Sequence, residues 1–179
     1  LRARKWLLLI HKKLSMIPIR PMAATDWEKV AKIYGEGIAT GMATFETQIP
    51  SYEKWDGSHL KSCRFVGLYK DNLAGWAALA PFSSRHVYRG VAEVSIYIGE
   101  KYRGLGLGKA LLEHLILESE AQGFWTLQSG IFPSNQASIK LHGSVGFKKI
   151  GVRERVGNLN GVWMDNVLFE RRSKVVGID

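Results

Sequence analysis

Lys101-Tyr102-Arg103-Gly104-Leu105-Gly106-Leu107-Gly108 is the stretch whose reading decides the fold. It follows a β-rich run, Val91 to Gly99, and opens a pattern in which Leu107, Ala110, Leu111, His114, Leu115 and Glu118 share one helical face. Alternating glycines leave backbone amides bare where side chains would otherwise intervene. A helix N-terminus adds N–H groups without intrahelical partners and a partial positive charge, and Arg103 adds a full one. A strand, a glycine-laced turn carrying an arginine, and a helix together read as a pyrophosphate cradle.

Two common phosphate motifs fail on spacing. A dinucleotide fingerprint, Gly-x-Gly-x-x-Gly, would need glycine at Lys109 or at Leu111, depending on register. A P-loop would need Ser or Thr at Ala110, where it holds magnesium, and glycine at Arg103. What remains is the pattern Arg/Gln-x-x-Gly-x-Gly/Ala, carried by Arg103, Gly104, Gly106 and Gly108. In this it resembles the loop with which the GNAT superfamily of N-acetyltransferases holds the pyrophosphate of coenzyme A.

The chain of 179 residues has the length of one domain with a full core, and its 46% hydrophobic content is that of a globular protein. A net charge of +9 would fit a nucleic-acid binder, but Arg2, Arg4, Lys5, Lys12 and Lys13 supply five of those charges within the first 15 residues, leaving +4 for the rest. That remainder suits a polyphosphate cofactor, and no nucleic-acid partner is expected. The apolar run Trp6 to Ile10 is too short for a secretory or membrane segment, so no membrane partner is expected either. Met16 precedes a credible first strand, and residues 1–15 read as a leader or an expression scar ahead of a single domain over 16–179. One cysteine, Cys63, excludes an internal disulfide and a multi-thiolate metal site, and reads as a small buried side chain. No metal is expected.

In chain order, Ile17 to Met22 reads as a strand, and Thr25-Asp26-Trp27-Glu28 as a capping box for a helix from Asp26 to Ala39. After the connection Ala43 to Pro50, Ser51 caps a helix reaching Lys61. Strands Phe65 to Tyr69 and Leu73 to Pro81 flank hairpin chemistry at Lys70-Asp71-Asn72. Beyond the polar loop Ser83 to Arg89 come the strand Val91 to Ile98, the cradle and its helix to Gln122, and a strand from Trp125 to Phe132. Ser134 can cap a helix from Asn135 to Val145 that ends at Gly146. Strands Phe147 to Val156 and Val162 to Phe169 close the chain around Gly157 to Gly161. The pattern is α+β, with about seven strands and about four helices.

That order is the one a GNAT acyl-CoA N-acyltransferase fold has, a mixed and mostly antiparallel seven-stranded sheet flanked by helices, and the resemblance spans Ile17 to Arg171. Thr44-Phe45-Glu46-Thr47, Arg85-x-x-Tyr88-Arg89, Glu93-Val94-Ser95-Ile96-Tyr97-Ile98, Asn135-x-x-Ser138 with Gly146-Phe147, and Gly161-x-Trp163-x-Asp165 resemble the branch of phosphinothricin and methionine-sulfoximine N-acetyltransferases. The resemblance implies transfer of acetyl from acetyl-CoA to a small amino-acid-like amine, a homodimer and a cytoplasmic location. It further implies cofactor contacts from the backbone of Ile96, Tyr97 and Ile98, from Arg103 through Gly104, Leu105, Gly106, Leu107 and Gly108 to Lys109, and from Asn135 and Ser138.

An amine is mostly protonated at neutral pH and must lose a proton before it attacks. Alternation puts Glu93, Ser95 and Tyr97 on one strand face, and a carboxylate inside an apolar strand is costly unless solvated, paired or functional. Glu93 is the candidate base, directly or through a water; a solvent-facing Glu on a half-exposed strand is the plainer alternative. By resemblance, N–H groups around Val94 to Ile96 stabilise charge on the thioester oxygen. Where many members carry Leu-Tyr to protonate the departing thiolate, this chain has Leu141-His142, leaving His142 as the acid or as an ordinary hydrogen-bonded histidine with water in that role. Arg85 and Arg89 are the candidate grip for an acceptor carboxylate, with Phe45 and Glu46 beside them and Trp163 and Asp165 as pocket wall or as core and turn. Transfer to a polyamine, peptide N-terminus or aminoglycoside, or CoA binding without turnover, are the competing readings.

Overall fold

A computed structural model describes residues 17–178. The assigned leader, residues 1–15, lies outside the described residues. Seven strands form one sheet in the order β1-β2-β3-β4-β5-β7-β6: β1 (Ile19–Pro21), β2 (Arg64–Tyr69), β3 (Asn72–Pro81), β4 (Val91–Ile98), β5 (Thr126–Ile131), β6 (Lys148–Leu159) and β7 (Val162–Arg172). All neighbours run antiparallel except β4 and β5. The helices are α1 (Trp27–Ala39), α2 (Tyr52–Ser58), α3 (Leu107–Ala121) and α4 (Gln136–Ser144).

Two-residue turns set the hairpin registers. Lys70 and Asp71 both take positive φ (47° and 62°), as do Asn160 and Gly161 (51° and 87°), which is the backbone twist a tight hairpin requires. Strand alternation then divides the core between the two sheet faces. Ala77, Leu79, Val94, Leu127, Val167 and Phe169 pack under α3, whose Leu107, Leu111, Leu112 and Leu115 are buried. Val66, Trp76 and Ala78 face α1 and α2, meeting Val30, Ile33, Tyr34 and Trp55. Cys63 is buried, and that burial pushes its thiol up to about 11, which removes it as a nucleophile at neutral pH.

Three local expectations are corrected. No side chain caps α1, Thr25 included: Asp26 stands at its N-cap, but its carboxylate turns back to accept the Ala23 N–H at 2.8 Å and two bonds from the Arg20 guanidinium at 2.7 Å. Asn135, not Ser134, caps α4, accepting the Ser138 N–H at 3.1 Å. Strand β6 does not stop at Val156. It bulges between Arg153 and Gly157 and resumes to Leu159, with the Arg155 N–H left over by the bulge donated to Asp165 Oδ1 at 2.8 Å. Among the described residues, no helix is long and apolar enough to cross a membrane.

Candidate active site

The parallel ladder between β4 and β5 covers only three pairs, Val91 with Thr126, Ala92 with Leu127 and Glu93 with Gln128, after which the strands part. Gly99 donates to the Ala74 carbonyl at 2.9 Å and Phe82 to that of Val91 at 3.4 Å. In an antiparallel ladder bonded and non-bonded pairs alternate, so Glu93, Ser95 and Tyr97 turn their backbone groups to β3; the Val94 N–H then closes the parallel ladder on the Gln128 carbonyl, and the Val94 carbonyl and the backbone groups of Ile96 and Ile98 turn into the opening. The Ile98 carbonyl accepts from Arg103 Nε at 3.3 Å. A cavity of about 760 Å³ fills the fork, walled by Glu93–Ile98 on one side and Ser129–Phe132 on the other.

The glycine loop closes the far end. Gly104 and Gly106 have φ of +76° and +86°, and a Cβ on either would meet no atom within 4 Å, so both borders of the loop are open to a ligand. Gly108 serves packing instead: its Cβ would stand 3.2 Å from Leu141. No side chain caps α3, and the first intrahelical bond runs from the Ala110 N–H to the Gly106 carbonyl at 3.1 Å. The N–H groups of Leu107, Gly108 and Lys109 therefore have no helical partner and carry the positive end of a helix of 15 residues. Arg103 and Lys109 line the same end of the cavity. Leu107 lines the cavity with its side chain sunk in the core, whereas Leu105 points to solvent, outside the lining.

Glu93 sits where the fork opens. Its side chain is exposed to the open cavity, as the plainer reading had it, yet the surrounding walls partly desolvate the carboxyl and push it above the ordinary range, against an opposing pull from the Arg153 cation. On the same strand face Tyr97 stacks on Trp76 at 4.8 Å and donates to the Ala43 carbonyl at 3.4 Å. Its backbone serves β3, so its contribution to the cavity is an aromatic wall rather than the main-chain contact implied for it alongside Ile96 and Ile98.

His142 lines the cavity and is fully buried. Its Nδ1 lies 2.9 Å from the Ser138 carbonyl, which makes Nδ1 the protonated nitrogen and leaves Nε2 a bare acceptor, buried without a partner. Burial also holds its pKa below the usual histidine value, opposed by the bond to Ser138. In that tautomer it accepts a hydrogen bond readily and has no proton at Nε2 to give a thiolate. Asn135, beside it, is occupied at both ends: the cap bond to Ser138 and a 3.2 Å bond from Nδ2 to the Met42 carbonyl, which ties α4 to the loop after α1.

On the acceptor side, Phe45 and Glu46 line the cavity. Phe45 rests edge-on against Phe132 at 4.7 Å and over Gly157, where a Cβ would stand 2.5 Å from its ring. Arg85, Arg89, Trp163 and Asp165 are not among the lining residues. The Arg85 guanidinium lies over Tyr88 at 5.6 Å and that of Arg89 over Trp125 at 5.3 Å, while Trp163 is 62% exposed on the β6–β7 hairpin and Asp165 holds the β6 bulge. Residues that sequence reasoning did not single out also form the wall: Tyr34, Lys54, Trp55, His59 and Asn166. Asn166 had a readable signal, a carboxamide that with Asp165 interrupts the apolar stretch Val162 to Phe169 of β7. The others required knowing which way α1 and α2 face. Among the described residues, no three His, Cys, Asp or Glu side chains cluster as a metal site.

An open strand edge ending at an uncapped, glycine-led helix, with a carboxylate at the crotch, defines an acyltransferase that holds an extended, phosphate-bearing thioester along a β-strand. Residues 27–147 match the acetyltransferase (GNAT) family, and the chain belongs to it. It is 30% identical over 159 residues to the phosphinothricin N-acetyltransferase of Streptomyces viridochromogenes, covering 87% of each chain. It is 28% identical over 153 residues to the L-methionine sulfoximine/L-methionine sulfone acetyltransferase of Pseudomonas aeruginosa, covering 82% of this chain and 89% of that one. The solved structure of a GNAT phosphinothricin acetyltransferase from Sinorhizobium meliloti in complex with acetyl-CoA superposes with a TM-score of 0.78 at 29% identity, covering 91% of this chain and 96% of that one. The chain is an acetyl-CoA-dependent N-acetyltransferase, and the cradle and fork fit that co-substrate: bare amides for its phosphates, and unpaired strand groups for its extended arm.

Proposed function

We propose that the acceptor is a small amino-acid-like amine, of the phosphinothricin or methionine sulfone type, and that Glu93 removes its proton, directly or through one water. The observation that carries this is the place of Glu93: the last residue of β4 to pair with β5, at the point where the fork opens and three residues before the free backbone of Ile96. Acetyl-CoA supplies an activated acyl carbon. The N–H of Ile96 faces the fork and is placed to stabilise charge on the acyl oxygen. Glu93, with its pKa raised, takes the proton of the attacking amine, and solvent returns a proton to the departing sulfur. Direct attack needs no covalent acyl-enzyme, in keeping with a buried Cys63.

The acceptor end is small and aromatic, walled by Tyr34, Phe45, Trp55 and Tyr97, with Lys54 as its cation, loosely paired to Glu46 at 3.8 Å. That enclosure suits a compact zwitterion, and Lys54 takes the carboxylate role for which Arg85 stood in the sequence reading. The test is a thiol-release assay with acetyl-CoA and methionine sulfone, phosphinothricin, spermidine and an alanine-led peptide. The amino-acid analogues should show a kcat/KM at least about tenfold above the other two, a gap of about 1.4 kcal/mol. Preference for spermidine or the peptide overturns the assignment.

A further inference from the structure

Asn166 lies in β7 next to Val167, which is buried under α3, so strand alternation turns Asn166 to the opposite face, the one that carries Glu93. Its carboxamide lies against Gly130 of β5: a Cβ there would stand 2.7 Å from both Nδ2 and Oδ1. Glycine at that position leaves the space that the carboxamide fills. Gly130 is two residues beyond Gln128, the partner of Glu93, and so lies on the same face. Arg153, the cation that acts on Glu93, is the β6 residue registered with Asn166. The base and the carboxamide therefore share a neighbour and look into one space.

Asn166 Oδ1 is turned inward, buried and without a hydrogen bond, while the residue lines the cavity, so a half-turn of the carboxamide about χ2 brings Oδ1 to a donor there. An oxygen left this way is destabilising to the fold unless a donor arrives, and the donors that an amine acetyltransferase admits here are N–H groups. We propose that Asn166 is a specificity-determining residue that accepts an N–H of the acceptor amine, across the fork from Glu93; this rests on reading the cavity as the site of amine acetylation. A neutral carboxamide suits the task better than a second carboxylate would. It orients the nitrogen without holding it in the charged, unreactive ammonium form, and leaves the proton to Glu93.

The experiment compares wild type, Asn166→Leu and Asn166→Asp by steady-state kinetics over the same amine panel, together with thermal unfolding. Asn166→Leu keeps the shape and removes the acceptor atom: acceptor KM should rise about tenfold while the KM for acetyl-CoA changes by less than about twofold. Its Tm should hold or rise, because an unpaired polar atom has been removed. Asn166→Asp should keep acceptor KM near wild type and lower kcat, since a second carboxylate stabilises the ammonium. An unchanged acceptor KM in Asn166→Leu overturns the proposal, and so does a Tm lowered by several degrees, which would reveal an internal partner. If wild type prefers an amine outside the amino-acid class, that substrate class fails and the KM split is decided on the preferred amine. If no amine is turned over, the Tm comparison decides: a gain in Asn166→Leu supports an oxygen kept for a ligand, and a loss refutes it.

Discussion

Gly106 and Gly123 sit at opposite ends of α3 with almost the same backbone, φ +86° and +85°, and a Cβ on either would touch nothing within 4 Å. Alanine at each position should therefore impose the same strain, about 1–2 kcal/mol for a left-handed L-residue, which in a domain of this size lowers Tm by about 2–8 °C. What differs is the space that the methyl enters. At Gly123 it points to solvent beyond a helix C-terminus, whereas Gly106 lines the cavity and its methyl would occupy open space at the mouth of the cradle, where a phosphate approaches the helix N-terminus. Displacing a phosphate from one charge-assisted bond costs about 1.5–3 kcal/mol, so the Kd for CoA should rise about tenfold to a hundredfold in Gly106→Ala and stay at the wild-type value in Gly123→Ala. Calorimetric titration of CoA with parallel thermal unfolding measures both effects. Equal CoA affinities in the two variants would refute the cradle, and unequal Tm losses would refute the strain argument.

Glu93→Gln should lower kcat about a hundredfold or more with little change in CoA affinity, and should abolish the rise of kcat/KM with pH through an upward-shifted carboxyl that wild type shows; pH-rate profiles of both proteins check this. His59 is half-buried and His142 buried, and both titrate below the usual 6.5, so the native chain binds fewer protons than the unfolded one just below that pH. Their stabilisation is complete above pH 6.5 and declines on acidification, so the urea midpoint should fall from pH 7.5 to 5.5, less steeply in His142→Gln; a midpoint that rises towards pH 5.5 would reverse the sign.

Features written in local chemistry were legible in the sequence. Positive-φ pairs at Lys70-Asp71 and Asn160-Gly161, the glycines of the cradle and the alternation along β4 each act within a few residues, and they place the helix, the hairpins and the face of Glu93. Features settled by distant partners were not. Ser134 and Asn135 are equally good caps by type, and the choice falls to Asn135 because its amide also reaches Met42, far away in the chain. The capping box read at Thr25 does not form, because Asp26 is drawn back to Arg20 of β1 and to the Ala23 N–H. Arg85 and Arg89 look like carboxylate ligands until Tyr88 and Trp125 supply aromatic faces that engage them. Asp165 looked like pocket chemistry because nothing in the sequence marks the bulge whose amide it satisfies.

The three-pair ladder between β4 and β5 means that the continuous-looking sheet is two slabs, β1 to β4 and β5 with β7 and β6, riveted at one end of a seam. Elsewhere a polypeptide would zip that seam shut; here the missing length of strand is a molecule the cell provides. Cofactor loading thus completes the secondary structure, and the resistance of this chain to unfolding should track how much acetyl-CoA surrounds it.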